Sequence, residues 1–527
     1  MDRNISRRDF IKKTALTIGA LTATNFIFSD EVFAAQKACK VRTRYGIYNG
    51  FVDKNGVKTW LGIPYAKPPV GSLRWRAPEK LEPSDKEFKA KKFGYSPMQL
   101  FDPTEDASKL PQSENCLTLN IWAGNSDKVN KPVMVFIPGG GFVGGGSGDP
   151  LYNGSNLAAN DVVVVTINYR LNIFGFMNFA EIDSDFADTG YLGIKDQVAA
   201  LEWVRENILE FGGDPSNITL FGESAGAAST MLLMVTPAAK GLFHKAIAQS
   251  GHLAFYHIPE QSAQLAAEFM ELSGCKNMRE LLNKPTKELM MIYEKLCNER
   301  PFTTEVDYFP TCDGKYLPAH PFQALKSGAA KGIKFLTGTT ANEYGYWNLY
   351  DENFTANIED FHAAITPVVY EGEFSNRQTL YDKWQKNHLT ENYLEFANQL
   401  DWRVGQELTA EYQSAFDDVY FYLFSQKSPN EILGSCHAID LPFVFGIPSK
   451  DIEPNPSAHL IKEVQAAWVS FAQTGNPSTS LVSGWKKYTA DDRRTMEINS
   501  ATWTLHKDLN AANLAELRRV YEENLLD

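Results

Sequence analysis

The chain has 527 residues, 43% of them hydrophobic and 22% charged, which is ample for a large buried core and ordinary for a globular enzyme. A net charge of −13 removes the electrostatic case for binding DNA or RNA, and the acidity serves solubility. Six cysteines are spread along the chain without C-x-x-C spacing, so no zinc or redox motif is indicated.

The amino terminus reads as an address. Ser6-Arg7-Arg8-Asp9-Phe10-Ile11-Lys12 resembles a twin-arginine export signal, with paired arginines ahead of a hydrophobic residue and a lysine. The weakly apolar stretch at 14–28 is too short and too polar for a stable membrane span. Val32-Phe33-Ala34 then offers small residues at the two positions a signal peptidase reads. Residues 1–34 are therefore expected to leave as a signal peptide, with 35–527 delivered as one domain to the bacterial periplasm or beyond. Substrates of that route cross folded, so the fold must be reachable with every thiol reduced.

No repeat or low-complexity linker divides residues 35–527. Short β-branched apolar runs at 133–137, 162–167, 218–221, 333–336 and 419–424 read as buried strands. Between them, residues 196–211 carry apolar side chains at helical spacing and stop at Gly212-Gly213. Strands alternating with helices predict an α/β class with a mostly parallel sheet covered by helices on both faces.

Directly after the run at 133–137 comes Pro138-Gly139-Gly140-Gly141-Phe142. A glycine-rich loop at a strand end brings backbone N–H groups close to a developing oxyanion. It could also cradle a phosphate, but no G-K-[ST] follows. Gly222-Glu223-Ser224-Ala225-Gly226 fits G-x-S-x-G between the run at 218–221 and a helical segment at 227–234. Such a strand-to-helix turn strains the central residue, requires small neighbours two positions away, and sets the Ser224 hydroxyl at a helix N-terminus. Taken alone, the pentapeptide also fits an incidental serine in a glycine-rich turn. In an α/β-hydrolase the order is nucleophile, acid, base. Glu343 follows the run at 333–336 in a strand-end loop, and His437 sits among small residues shortly after the run at 419–424. The expected triad is Ser224, Glu343 and His437.

Together these segments resemble the type-B carboxylesterases, the group that includes bacterial para-nitrobenzyl esterases, liver carboxylesterases and the cholinesterases. The resemblance runs over nearly all of residues 41–527. It is carried by Gly62-Ile63-Pro64-Tyr65-Ala66, Ser113-Glu114-Asn115-Cys116-Leu117-Thr118-Leu119-Asn120, Asn168-Tyr169-Arg170-Leu171 and Phe211-Gly212-Gly213-Asp214-Pro215. The Ser224 turn, Ala341-Asn342-Glu343-Tyr344-Gly345 and the His437 loop running into Asp440-Leu441-Pro442-Phe443 complete it in order. It implies the α/β-hydrolase fold, with the N–H groups of Gly140, Gly141 and Ala225 as oxyanion donors. Three departures stand out. Pro138 replaces the usual His or Tyr, without touching the donors. Met98 falls where a cysteine usually partners Cys116, so that disulfide is expected to be absent. The stretch from Met98 to Cys116 lacks the tryptophan with which cholinesterases hold a quaternary ammonium, so cholinesterase activity is not expected.

The expected reaction is hydrolysis of small to medium carboxyl esters through an acyl-enzyme, with a small-molecule ester as partner and no metal or organic cofactor. Amide, carbamate or thioester cleavage would use the same residues. A catalytically silent binding module is the reading from another class, and the intact triad argues against it. Tyr344, Tyr346, Trp347 and Tyr350, just after the acid, fit either an aromatic wall or core packing.

Overall fold

Alternation of apolar side chains decides how the sheet is covered. In the strand Lys131–Ile137, Val133, Val135 and Ile137 enter one core while Met134 and Phe136 enter the other. In Val163–Ile167, Val163, Val165 and Ile167 face the first core and Val164 the second. A period of two with both sets apolar is the pattern of a strand buried on both faces.

The computed structural model describes residues 38–100, 111–124, 126, 128–299, 308–359, 381–382, 385–386, 392–509, 514–515 and 517–519. The signal-like segment at 1–34 lies outside them. Among the described residues thirteen strands form one sheet: β1 (Ala38–Thr43), β2 (Gly46–Val52), β3 (Lys58–Pro64), β4 (Glu87–Lys89), β5 (Thr118–Ala123), β6 (Lys131–Ile137), β7 (Val163–Ile167), β8 (Gly213–Glu223), β9 (Lys245–Gln249), β10 (Lys334–Thr340), β11 (Val419–Phe424), β12 (Arg494–Ile498) and β13 (Trp503–Lys507). Their spatial order is β1-β2-β3-β5-β7-β6-β8-β9-β10-β11-β12-β13, with β4 paired to β2. Every pairing from β7 to β12 is parallel, while the flanks β1-β2-β3-β5-β7 and β12-β13 are antiparallel. The parallel block therefore holds all five runs expected as strands, and their carboxyl ends share one edge.

Helices cover both faces. α1 (Leu192–Asn207) and α2 (Ala225–Val235) pack into one core, and α6 (Ala458–Thr474) packs into the other. Of three more helices, α3 (Tyr393–Asn398) and α4 (Val404–Ser414) pack into the first core and α5 (Leu441–Phe445) into the second. The helix expected at 196–211 begins one turn earlier, at Leu192. Its last four residues, Ile208–Phe211, tighten to a 3-10 turn that Gly212 stops at φ 88°. That left-handed cap is the ordinary way a glycine terminates a helix. Among the described residues no helix is long and apolar enough to cross a membrane. Among the described residues no disulfide joins the six cysteines, and burial pushes the Cys116 thiol well up. Met98 and Cys116 line the same small recess.

One buried ion pair ties this frame to the loops above it. Arg170, just past β7, donates from Nε and Nη2 to Asp196 of α1 at 2.7 Å each, and its backbone N–H donates to Asp196 at 3.0 Å. Both side chains are excluded from solvent. The neighbouring Tyr169 hydroxyl donates to the Pro138 carbonyl at 3.0 Å, so the pair also steadies the start of the glycine loop. Breaking such a pair leaves a buried charge uncompensated, which costs about 3–5 kcal/mol. Asp196→Asn is expected to lower the urea midpoint by the equivalent of at least about 3 kcal/mol at unchanged slope. A loss under about 0.5 kcal/mol would show that the pair does not hold the frame.

Candidate active site

The centre of the site is a turn with no room in it. β8 ends at Glu223 and α2 begins at Ala225, so Ser224 alone reverses the chain, at φ 58° and ψ −125°. A non-glycine residue there is strained by about 1–3 kcal/mol and persists only if its surroundings impose it. They do. A Cβ on Gly222 would lie 2.4 Å from the Gly226 carbonyl, and one on Gly226 would lie 2.0 Å from the Ile137 carbonyl oxygen. The Ser224 N–H donates to the Gln249 carbonyl and the Ser224 carbonyl accepts from the Ala228 N–H, both at 2.9 Å. The serine is thus clamped between β9 and the first turn of α2.

The glycine loop that leaves β6 closes over it. A Cβ on Gly139 would sit 3.0 Å from Ser224 Cβ. Gly140 and Gly141 take φ of 118° and 58°, and the Gly140 carbonyl accepts from the N–H groups of Val143 and Gly144. The amides of Gly140, Gly141 and Ala225 donate to no acceptor among the described residues. Pro138 keeps only its carbonyl in play, through Tyr169. The structure therefore gathers Ser224 and the expected oxyanion residues at one point.

Acid and base arrive from the ends of β10 and β11. His437 Nδ1 donates to Glu343 Oε2 at 2.6 Å, and the His437 backbone N–H donates to the Glu343 carbonyl at 3.2 Å. The other oxygen, Oε1, accepts from the Thr340 N–H at 2.8 Å, which fixes the carboxylate plane. Asn342 binds the two loops together: its N–H donates to Ser435 and its side chain to the Leu433 carbonyl. Asn398 of α3 reaches back to Asn342 and to the Tyr344 N–H. On the far side of the ring, His437 Nε2 lies 3.0 Å from Glu223 Oε1, beside Ser224 but out of line for a hydrogen bond.

That placement of Glu223 escaped the sequence. It occupies the variable second position of G-x-S-x-G, and a strand-end residue gives no sign of which loop will meet it. Asp440 is similar. Its Oδ2 accepts from Gln249 Nε2 at 2.9 Å and the Tyr422 hydroxyl at 3.0 Å, and Trp468 Nε1 donates to Gln249 Oε1 at 3.2 Å. Gln249 pairs with Glu223 across β8 and β9, so this buried network lies against the same carboxylate. Burial, helped by the nearby Glu223 charge, pushes Asp440 up to about 7. For His437, burial opposes the charged ring, yet Glu223 and then Glu343 outweigh it and lift its pKa to about 10.

Aromatic rings close the remaining sides. Trp347 stacks on the imidazole with centroids 5.6 Å apart, and Trp402 approaches it at 4.6 Å. From Trp402 the wall continues through Phe255 and Phe309 to Phe142 on the glycine loop, in steps of 5.7, 5.0 and 6.0 Å. The cluster after the acid thus divides. Trp347 flanks the site, Tyr344 donates to Asp401 at 2.7 Å, and Tyr350 is buried against Tyr346.

A model of the carboxylesterase family matches residues 37–516. A para-nitrobenzyl esterase of Bacillus subtilis (strain 168) is 38% identical over 476 residues, which cover 87% of this chain and 94% of that protein. A liver carboxylesterase of Sus scrofa is 32% identical, covering 83% and 84%. Among solved structures, a Geobacillus stearothermophilus carboxylesterase superposes with TM-score 0.79 at 35% identity, covering 91% of this chain and 99% of that one.

A raised imidazole sets the direction of pH dependence. The ring accepts a proton only when neutral, so turnover should rise with pH into the alkaline range. Removing the Glu223 charge withdraws the largest support for the imidazolium. In Glu223→Gln the ascending limb should therefore move to lower pH by about 1–3 units, read from kcat/KM between pH 5 and 10. Superposable profiles would show that Glu223 does not govern the base.

Proposed function

The chain belongs to the carboxylesterase family and is a serine carboxylic-ester hydrolase, and we propose that it works through an acyl-enzyme on Ser224, with His437 as base and Glu343 as its orienting acid. The observation that carries this assignment is the 2.6 Å bond from His437 Nδ1 to a buried carboxylate. It leaves Nε2 as the accepting nitrogen, 3.0 Å from the Glu223 carboxylate, and the next residue, Ser224, is held in a strained turn. Ser224 Oγ attacks the ester carbonyl while its proton passes to His437 Nε2. The carbonyl electron pair moves onto oxygen, where the N–H groups of Gly140, Gly141 and Ala225 receive it. His437 then hands the proton to the departing alkoxide, and water repeats the sequence on the acyl-enzyme. Glu343 keeps the ring in the correct tautomer and stabilises the imidazolium. Every step uses side chains and backbone of this chain. The rings from Phe142 to Trp402 support apolar esters of small to medium size.

Export rests on the sequence of residues 1–34, and we propose the twin-arginine route to the periplasm or exterior. The lack of a disulfide among the described residues is compatible with a protein that folds before it crosses.

Two measurements test these assignments. Purified protein should turn over short-chain p-nitrophenyl esters, and Ser224→Ala should lose on the order of 10⁴-fold or more in kcat. Ser224→Ala with near-normal turnover would remove the nucleophile assignment. For export, Arg7→Lys combined with Arg8→Lys should hold the unprocessed chain in the cytoplasm of a twin-arginine-competent host. Normal processing of that variant would rule out the route.

A further inference from the structure

We infer that Trp402 is a positioning residue for His437, its π face, with that of Trp347, stabilising the imidazolium that forms when the ring takes the Ser224 proton. The inference rests on His437 being the base. It adds what the carboxylates leave open: how the flanks of the ring, as distinct from its nitrogens, are arranged for positive charge.

The geometry is specific. The centroids of His437, Trp402 and Trp347 form a triangle with sides of 4.6, 5.6 and 6.2 Å. Both indoles lie within the roughly 6 Å at which a cation is drawn to a π system, and that attraction grows when water is excluded. His437, at 5% exposed, and Trp402, at 6%, satisfy that condition. Glu343 binds Nδ1 and the Glu223 carboxylate lies 3.0 Å from Nε2, so the indoles, with the edge of Tyr346, are what the flanks of the ring meet.

Trp402 is carried there by an unusual piece of backbone. Between α3 and α4 the segment Gln399–Arg403 is wound as a π-helix. Such turns are rare and cluster at functional sites, because the inserted residue re-aims its neighbours. Trp402 also meets Phe255 and Tyr344, at 5.7 and 6.4 Å, but of its ring contacts among the described residues the imidazole, at 4.6 Å, is the nearest. Its indole Nε1–H is buried and has no hydrogen-bond partner, so the ring is not held by its polar end. Its neighbours are committed elsewhere: Asp401 accepts from the Tyr344 hydroxyl, and Arg403 Nε donates to Glu407 at 2.9 Å.

The charged and titratable groups around the imidazole must be weighed with it. They are Glu223 at the end of β8, Glu343 after β10, and Asp440 on His437's own loop, tied to Gln249 and Tyr422. Tyr346 adds an edge-on ring at 6.0 Å. Glu223 and Glu343 set the large upward displacement of His437; the indoles add a smaller contribution of the same sign that survives where water cannot screen it.

The test is a pH profile. Trp402→Leu keeps an apolar side chain and removes the π face; Trp402→Phe keeps a face. In Trp402→Leu the ascending limb of kcat against pH should fall by about half to one pH unit, and plateau kcat by about threefold to thirtyfold. Trp402→Phe should stay within error of the parent limb. Thermal unfolding of each variant establishes that it is folded. Histidine NMR titrations in the Ser224→Ala background, with and without Trp402→Leu, should show the same displacement on the His437 signal alone, free of any change in substrate binding. An unmoved limb and an unmoved His437 titration in folded Trp402→Leu would overturn the inference, whatever happens to KM. So would a limb that moves upward. His437→Ala separates the premise: if it retains turnover, the base assignment itself falls. If it is inactive while Trp402→Leu leaves the profile in place, only this inference does.

Discussion

Everything at the site hangs on the contact between the Ser224 turn and the end of β6. Gly226 lies so close to the Ile137 carbonyl that any side chain would drive into it, and Gly222 lies as close to Gly226. Because β6 and β8 are adjacent parallel strands, in register from Val133–Ile218 to Ile137–Gly222, their carboxyl ends emerge side by side. The nucleophile and the loop offering Gly140 and Gly141 are thereby placed against each other by backbone, before any side chain takes part. A helix or strand holds position better than a loop, and here the strained residue is pinned by two strands and a helix at once. The strain in Ser224 is stable because relaxing it would push Gly226 into β6.

A second constraint is electrostatic. One buried imidazole lies against Glu343 and Glu223, brought from beyond β10 and from the end of β8, and Asp440 of its own loop feels the charge of both. Three carboxylates in so little water cannot all behave as isolated acids. Asp440 responds by holding its proton to about 7, while His437 responds by binding its own more tightly. Gln249 and Tyr422 donate to Asp440, and Trp468 donates to Gln249, which fixes that carboxyl in place. Such a balance favours the state in which the imidazole is positive, which is the state reached as the serine attacks. The indoles beside it act in the same sense.

The aromatic wall links this chemistry to substrate. Phe142 belongs to the oxyanion loop, Phe309 and Phe255 to the segments that follow β9, and Trp402 to the π turn. A continuous apolar surface then runs from the donors to the base. It excludes water from the charged groups and strengthens their interactions.

Much of this was legible in the order of residues along the chain, and the reasons are local. Strand runs show as apolar stretches because both faces of the parallel block are buried, and those at 133–137 and 419–424 fall within β6 and β11. Ser224, the glycine loop, Glu343 and His437 are visible because turns and strand ends demand particular residue types at short spacing. What tertiary structure alone decided is which distant residues meet. Glu223 faces His437, Asp440 joins Gln249 across 191 positions, and Trp402 reaches the base from a π turn. Periodicity fixes which way a side chain leaves its own element. It says nothing of how far the next element is rotated or wound, and a single extra residue in a helical turn moved an indole against the imidazole.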